Sequence, residues 1–337
     1  MRVGIPREVK PFENRVSMTP SGVARLKEAG HDVWVEKGAG LPAGFSDSNY
    51  REAGAKIKFQ ARDLWSADLV LKVKEPQPSE YRFFRRDLLL FTFLHLAANP
   101  ALAKELDRKK VKALPYEMVR DTSGGFPILA PMSDIAGCLA AIVGANYLRR
   151  DLGGKGTLLP AIGEGGTGHV TILGAGHVGR NALRVAHGLG ATVTVFDKNT
   201  QKLGELRNEY PERFQTLSEP GDLPEILKRT DLLIGAVLIP GQEAPKVVTK
   251  KMVQVMEPGS VIVDVSIDQG GCIMTSRPTT IRQPIFKKYG ILHYGVTNMP
   301  SLVPRTATEA LSRATLTYVI RLASGGSIHE AFEAPSR

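Results

Sequence analysis

Residues 170–197 read VTILGAGHVGRNALRVAHGLGATVTVFD, and this stretch decides the fold. An apolar run at 170–173 predicts a buried strand, the glycine-rich turn at 174–179 opens a helix, and a second apolar strand ends in the carboxylate of Asp197. Strand, turn, helix and acid follow in the order of a dinucleotide-binding βαβ unit. The stretch therefore predicts a nicotinamide cofactor.

Three glycines of the turn have separate physical reasons. Gly174 permits a tight turn after the strand, Gly176 lets the backbone approach a pyrophosphate, and Gly179 lets helix and strand pack closely. The pyrophosphate is then expected on the free N–H groups at the helix N-terminus. The alternative is a glycine-rich turn in an ordinary βαβ unit.

Asp197 predicts which nicotinamide cofactor binds. It lies 18 residues after Gly179, at a strand end where a carboxylate accepts hydrogen bonds from the adenosine ribose and repels a 2′-phosphate. NAD is therefore expected rather than NADP. Lys198 and Lys202 lie close enough to weaken this preference.

Composition limits the class of protein. The chain has 337 residues, 42% of them apolar, and a formal net charge of +10 carried by dispersed Lys and Arg. Without a basic stripe, we expect no nucleic-acid partner. We also expect no membrane partner and no signal peptide, because apolar runs are short. The two cysteines suit a reducing cytoplasm, lack metal-type spacing and are expected to be packing residues, and no metal is predicted.

Alternating apolar strands and helical stretches continue on both sides of the turn. This pattern predicts two Rossmann-like, doubly wound α/β domains with a cleft between them. Residues 1–132, completed by 304–337, are expected to form a substrate domain, and residues 133–303 an NAD-binding domain. A long helix at 131–150 and another at 307–322 are expected to connect the two.

Eight separated blocks resemble the alanine dehydrogenase family, from residue 1 to about residue 323. The likeness extends to the nucleotide-binding component of proton-translocating transhydrogenase. The blocks are RVGIPRE at 2–8, ENRV at 13–16, VKEP at 73–76, FLHL at 93–96, LAPMS at 129–133, GAVL at 235–238, VDVSIDQGG at 263–271 and NMP at 298–300.

The resemblance implies oxidative deamination of L-alanine to pyruvate and ammonia with NAD, and the reverse amination, in a homohexamer. It implies that Arg15 and Lys74 hold the substrate carboxylate, that His95 is the general acid/base, and that Asp268 activates water. Each residue has an ordinary alternative: a surface ion pair, a solvated strand end, a core histidine and a helix cap, respectively.

Further cofactor contacts carry over from the resemblance. Some of them, such as Ser133 and Arg277, have equally simple structural explanations as a helix cap and a surface charge. With the glycine turn and Asp197, the expected cofactor residues are Ser133, Gly174, Gly176, His177, Val178, Gly179, Asp197, Lys202, Ser218, Val237, Leu238, Ile267, Arg277, Val296, Asn298 and Met299.

The chain departs from the family pattern in three places. His177 stands where the family usually has an apolar residue, the segment PAIGEGGTG at 160–168 is unusual, and the family typically continues beyond Arg337. Two other functions therefore stay open at this point. One is a transhydrogenase-like nucleotide-binding module, and the other is an NAD-binding homologue with reduced activity.

Overall fold

The computed structural model describes residues 1–96, 99–210, 214–237 and 243–326. The chain divides into unit 1, Met1–Met132 with Pro300–Arg337, and unit 2, Ser133–Met299. Residues 300–303, which the sequence analysis assigns to the nucleotide-binding domain, group with unit 1, because the short 3₁₀ helix Met299–Leu302 leads directly into the last long helix. Within the described ranges, no helix has the length and apolar character needed to cross a membrane.

Unit 1 is built on a parallel sheet. Its strands are β1 (Arg2–Ile5), β2 (Asp32–Glu36), β3 (Lys56–Lys58), β4 (Leu69–Leu71), β5 (Leu89–Thr92) and β6 (Lys112–Pro115). Over the described residues the order is β3-β2-β1-β4-β5-β6, and every neighbouring pair is parallel. All six strands therefore end at the same edge of the sheet.

Unit 2 has a second sheet of the same kind. Its strands are β7 (His169–Leu173), β8 (Thr192–Phe196), β9 (Gln215–Leu217), β10 (Leu232–Gly235), β11 (Val261–Asp264), β12 (Ile285–Lys288) and β13 (Ile291–Tyr294). In the part of the chain that the structure describes, the order is β12-β13-β11-β10-β7-β8-β9, with β12 antiparallel at one edge.

Helices connect most of the successive parallel strands. Those of the described residues are α1 (Pro20–Glu28), α2 (Asp47–Glu52), α3 (Ala61–Trp65), α4 (Pro100–Arg108), α5 (Ala130–Tyr147), α6 (His177–Gly188), α7 (Thr200–Glu209), α8 (Leu223–Lys228), α9 (Lys250–Gln254) and α10 (Pro304–Ala323).

The sheet of unit 2 is apolar on both faces. Successive strand residues point to opposite faces, so that Ile172 and Ile234 pack in one core cluster while Leu173 and Leu233 pack in another. Parallel sheets covered by helices on both sides show this near-continuous apolar pattern. The predicted fold class, two doubly wound Rossmann-like domains, is confirmed.

The decisive stretch folds as the sequence predicts. The strand, turn, helix and strand of 170–197 are β7, the glycine turn, α6 and β8. The long helix predicted at 131–150 ends earlier, at Tyr147, because the chain leaves the helix into a short 3₁₀ turn, Arg150–Leu152, closed by left-handed Gly153. Short β3, β9 and β12 are absent from the sequence-based description.

A lysine is fully buried just after β4. Lys72 is 1% exposed, and its Nζ lies 3.0 Å from Glu8 Oε2 and 3.1 Å from Glu80 Oε1. Although burial opposes its charge, Glu8 and Glu80 raise the pKa of Lys72. Glu8 also accepts the Val73 N–H at 2.6 Å. The ion cluster thereby ties the segment after β1 to the end of β4.

We predict that Lys72→Met lowers the free energy of unfolding by roughly 3–5 kcal/mol, because it leaves two buried carboxylates without their cation. Guanidinium titration followed by circular dichroism measures the change. Lys56→Met is the control: this lysine pairs with Asp32 at the surface, 62% exposed, and its loss should cost about 1 kcal/mol or less. Equal effects of the two substitutions would contradict the role of the buried cluster.

Candidate active site

The glycine turn lies where the strand order of unit 2 reverses. From β7, strands β8 and β9 extend the sheet to one side, while β10, β11 and β13 extend it to the other. In open α/β sheets the ligand crevice lies at the carboxyl ends of the strands at such a switch point. The turn between β7 and α6 occupies that position.

The three glycines of the turn differ in their surroundings. Gly174 has φ 107°, a left-handed conformation that disfavours other residues, and a Cβ on Gly179 would lie 1.8 Å from the Gly174 carbonyl oxygen. A Cβ on Gly176 would meet nothing within 4 Å. Gly176 is also the N-cap of α6 and offers no side-chain cap. The open space over the helix N-terminus fits a pyrophosphate of a nicotinamide dinucleotide.

Asp197 supports the glycine turn directly. It follows β8, and its Oδ2 accepts the Ala175 N–H at 2.8 Å while its Oδ1 accepts the Asn199 N–H at 2.9 Å. The carboxylate is half-buried, and each oxygen has a second lone pair for a ribose hydroxyl. The residue is therefore both a brace for the turn and a suitable ribose acceptor.

The segments after β7, β10 and β11 lie against one another. A Cβ on Gly174 would lie 2.6 Å from the Ala236 carbonyl oxygen, which places the turn beside Val237. Ser266 Oγ donates to the Val237 carbonyl oxygen at 2.7 Å, and Ile267 follows next in the chain. Three predicted cofactor residues, Gly174, Val237 and Ile267, are thus brought to one edge of the sheet.

Asp268 lies beyond the end of its strand rather than closing it. β11 ends at Asp264, and Asp268 is exposed in the 3₁₀ helix Val265–Gln269 that follows. Its Oδ2 accepts the Asn298 N–H at 3.3 Å, and Asn298 has φ 60°. The structure therefore joins Asp268 to the 298–300 block.

Four of the apolar residues predicted to contact the cofactor are buried, while Val237 is half-buried. Their exposures are 8% for Val178, 3% for Ile267, 2% for Val296 and 3% for Met299. Because their side chains pack in the protein, they offer mainly backbone groups to a ligand. Leu238 lies outside the described residues.

The polar residues predicted to contact the cofactor lie on several elements. Ser133 is half-buried inside α5, not at its cap, and Lys202 is exposed near the start of α7. Ser218 is the residue after β9. That strand pairs with β8, and Asp197 is the residue after β8. Arg277 lies between β11 and β12 in the chain. Its guanidinium stacks over Phe286, 4.5 Å from the ring centroid.

In unit 1, Arg15 is buried in an ion pair. Its Nε donates to Glu13 Oε1 at 2.7 Å and its Nη2 to Glu13 Oε2 at 2.6 Å, a bidentate arrangement. Its Nη1 lies 3.2 Å from the sulfur of Met132, and the residue is 2% exposed. The planar fork that was expected to hold a substrate carboxylate therefore holds Glu13 along one edge.

His95 is held by carboxylates from the neighbouring strand ends. β4, β5 and β6 are adjacent and parallel, so the residues just after them, Glu75, His95 and Glu117, lie together. Glu117 accepts the N–H groups of Leu94 and His95, the latter at 2.6 Å. These bonds fix the backbone of His95, whose φ of 48° is unusual for a residue with a side chain.

Glu75 faces the imidazole of His95. Its Oε2 lies 3.7 Å from His95 Nδ1, is buried, and has no hydrogen-bond partner among the described residues. Burial raises the pKa of Glu75, but His95, a hydrogen bond from Lys10 and the charge of Lys74 together lower it to about 2. Glu75 is therefore ionised throughout the neutral range. Lys74 itself is half-buried, and its carbonyl oxygen accepts from Thr92 Oγ1 at 3.1 Å.

Sequence reasoning missed the carboxylates that hold the predicted residues. Glu13 and Glu75 lie inside quoted blocks, but nothing in their spacing relates them to the residues they contact. Glu117 is 22 residues from His95 and lies in no block. The available signal was positional: Glu75 and Glu117 lie within four residues after a predicted parallel strand.

The two cysteines differ in exposure. Cys272 is fully buried, and burial raises the pKa of its thiol far above the usual range. It packs beside Asp264, whose carboxylate accepts the Cys272 and Ile273 N–H groups at 3.3 and 3.1 Å. Cys138 is half-buried on α5. A neutral, enclosed Cys272 agrees with a packing role.

Family models cover both units. A model described as Alanine dehydrogenase/PNT, N-terminal domain matches residues 4–136, and one described as Alanine dehydrogenase/PNT, C-terminal domain matches residues 140–335. The alanine dehydrogenase of Bacillus subtilis (strain 168) is 48% identical over 330 residues, which are 97% of this chain and 87% of the relative.

Two solved structures are similar over nearly the whole chain. An L-alanine dehydrogenase superposes with a TM-score of 0.94 at 46% identity, covering 98% of this chain and 91% of the other. A transhydrogenase from Sinorhizobium meliloti superposes with a TM-score of 0.83 at 26% identity, covering 96% and 94%.

We predict that Gly176→Ala and Gly179→Ala fail for different reasons. Gly179→Ala forces a Cβ onto a backbone oxygen and should lower the melting temperature by several degrees, about 2–4 °C for each kcal/mol lost. Gly176→Ala fills open space, so it should leave the melting temperature unchanged and weaken binding of a nicotinamide dinucleotide by roughly tenfold or more. Thermal unfolding and calorimetric titration measure the two effects. Unchanged affinity in a folded Gly176→Ala variant would show that the pyrophosphate does not bind at this turn.

Proposed function

The chain belongs to the alanine dehydrogenase/PNT family, and from this premise we propose that it is an NAD-dependent L-alanine dehydrogenase. In the forward direction, L-alanine, NAD⁺ and water give pyruvate, ammonium, NADH and a proton. The reverse direction is the reductive amination of pyruvate. The chain is thus an oxidoreductase that acts on a small amino acid and its keto acid.

The observation that carries the proposal is the way the chain holds His95. Glu117 fixes its backbone, and the buried carboxylate of Glu75 faces its Nδ1 at 3.7 Å. A histidine fixed at both points, with its side chain still 43% exposed, is suited to proton transfer with a ligand. A histidine that served only core packing would have no need of this exposure.

His95 moves the proton at the substrate nitrogen or oxygen. The negative charge of ionised Glu75, 3.7 Å from Nδ1, favours the tautomer of His95 that carries its proton on Nδ1, which leaves the lone pair of Nε2 to take a proton from the substrate. In the reverse direction, the same nitrogen returns the proton. Glu75 is thus a positioning residue that selects the tautomer of His95.

Arg15 and Lys74 bind the carboxylate of the substrate. Glu13 pairs with the Nε and Nη2 edge of Arg15, and the Met132 sulfur lies 3.2 Å from Nη1. The pairing holds the planar guanidinium in one orientation. Lys74 adds an ammonium as a second, less directional charge.

Asp268 activates the water that replaces the amino group. It is an exposed carboxylate whose position is set by the Asn298 N–H, so it is available to a ligand and held in one place. A bound nicotinamide ring would supply the acceptor for the hydride of alanine C2.

NAD is the cofactor of this proposal. The glycine turn at 174–179 would hold its pyrophosphate, Asp197 its adenosine ribose, and the segments that contain Val237, Ile267 and 296–299 the rest of the molecule. Asp197 favours NAD because a 2′-phosphate would meet its negative charge. A hexameric assembly and a cytoplasmic location, both expected from the sequence, belong to the same proposal.

The first test of this function is the absorbance of NADH. With L-alanine and NAD the purified chain should form NADH, with much less product from glycine, L-serine or L-glutamate. His95→Gln should lower kcat by roughly 10²- to 10⁴-fold, the usual contribution of a general acid/base, and Glu75→Gln by about tenfold or more. Glu105→Gln, which only loses a surface pair with Arg108, is the matched control and should not change kcat.

Two outcomes would contradict the proposal. One is a chain that binds NAD but forms no NADH with alanine and consumes none with pyruvate and ammonia. The other is alanine-independent hydride exchange between two nicotinamide nucleotides, which is the activity expected of a transhydrogenase-like module.

Cofactor choice is tested separately with Asp197→Asn. Removing the negative charge should lower the ratio of kcat/KM for NAD over NADP by roughly tenfold, since the nearby Lys198 and Lys202 then favour a 2′-phosphate. Lys198→Gln is the control and should raise that ratio or leave it unchanged. A ratio that stays the same in Asp197→Asn would show that Asp197 does not read the ribose.

A further inference from the structure

A histidine–aspartate pair lies beside the glycine turn and takes no part in the proton transfers proposed above. His177 is the first residue of α6, and its Nδ1 lies 3.1 Å from Oδ1 of Asp134 on α5. Both side chains reach solvent, with 63% of His177 and 42% of Asp134 exposed.

The packing of α5 on α6 fixes the pair. Asn181, one turn after His177, donates from Nδ2 to Asp134 Oδ1 at 2.8 Å and to the His177 carbonyl oxygen at 3.1 Å. One turn after Asp134, Gly137 approaches so closely that a Cβ there would lie 2.2 Å from the Val178 carbonyl oxygen. Asp134 therefore cannot easily leave the start of α6.

Charged groups on two helices, α5 and α6, act on His177. The hydrogen bond with Asp134 raises the pKa of His177, whereas Arg180 on its own helix opposes this. Arg180 is itself paired with Glu209 of α7, which weakens that opposition. Asp197, after β8, supports the far side of the same turn. Burial also opposes the rise, but the pKa of His177 stays above its ordinary value.

We propose that His177 is a proton-dependent ligand of the cofactor pyrophosphate, so that this chain binds its dinucleotide more tightly as the pH falls. The proposal rests on the proposed function, because it assigns the pyrophosphate to the turn at 174–179. An imidazolium adds a cation to the helix N-terminus that already favours this anion. When His177 is neutral, the carboxylate of Asp134 is left uncompensated beside two negative phosphates.

The direction in which Kd changes with pH follows from the charge of His177. Below the pKa of His177 the cation is present and binding is strong, and as the pH rises through that value the charge is lost and Kd increases. Asp134 sets where this happens, because it raises the pKa. Asp134 thus has two opposite effects: it keeps His177 charged at higher pH, and it repels the ligand once His177 is neutral.

The test is the affinity for ADP-ribose, which contains the pyrophosphate but no nicotinamide and therefore reports binding without catalysis. Calorimetric titration of the full chain should give a Kd that rises roughly five- to twentyfold between about pH 6 and about pH 8.5. Binding of adenosine, which lacks the pyrophosphate, is the ligand control and should not follow this dependence.

Two variants separate the proposal from a structural tie between α5 and α6. His177→Gln keeps a donor for Asp134 but does not titrate, so its Kd should be independent of pH and close to the alkaline value of the unmodified chain. Asp134→Asn should move the rise in Kd to lower pH and leave the alkaline Kd equal or smaller. Melting temperatures confirm that both variants fold.

The other possible results either contradict the proposal or separate it from the proposed activity. If the unmodified chain and His177→Gln share one pH profile, or if Asp134→Asn leaves the profile where it was, the pair is only a tie between helices and the proposal is wrong. If ADP-ribose binds at neither pH, the cofactor site and this proposal fail together. The predicted pH dependence in a chain that does not oxidise L-alanine would support this inference and contradict only the proposed activity.

Discussion

The close approach of α6 to the end of β7 is the constraint on which unit 2 depends. Gly179 lies so near the Gly174 carbonyl oxygen that no side chain fits between them. This contact places the first turn of α6 beside the open space at Gly176. Helix α5 packs against the same helix, again at a glycine, Gly137. The position of the N-terminus of α6 and that of its neighbour Asp134 therefore follow from these two packing contacts.

In unit 1, carboxylates hold the candidate site residues in place. Glu117 accepts a hydrogen bond from the backbone of His95, Glu75 faces the His95 ring, and Glu13 forms an ion pair with Arg15. Burying these groups is costly unless each has a partner, so the pairs specify one arrangement of the loops more than they stabilise the fold. The side chains proposed to meet the substrate thus depend on carboxylates that need not touch it.

How much could be predicted from the sequence depends on how far apart in the chain the interacting groups lie. The β7–α6–β8 motif was predictable because its strand, turn, helix and acid are contiguous and each follows a local rule. The partnership of Glu75 with His95 was not, because it exists only once β4 and β5 lie side by side. The antiparallel edge strand β12 was missed for a similar reason: a short, half-exposed run such as IFKK acquires its conformation from β13. The residue-by-residue roles at the site stay predictions.

In the proposed reaction, this chain moves the hydrogen on C2 of L-alanine to a nicotinamide ring. The most direct measurement uses L-alanine deuterated at C2, with mass spectrometry of the reduced cofactor formed by the purified chain. We expect one deuterium in each molecule of NADH, and an amount of pyruvate equal to that of NADH. NADH without deuterium, or no NADH at all from a folded chain that binds NAD, would contradict it.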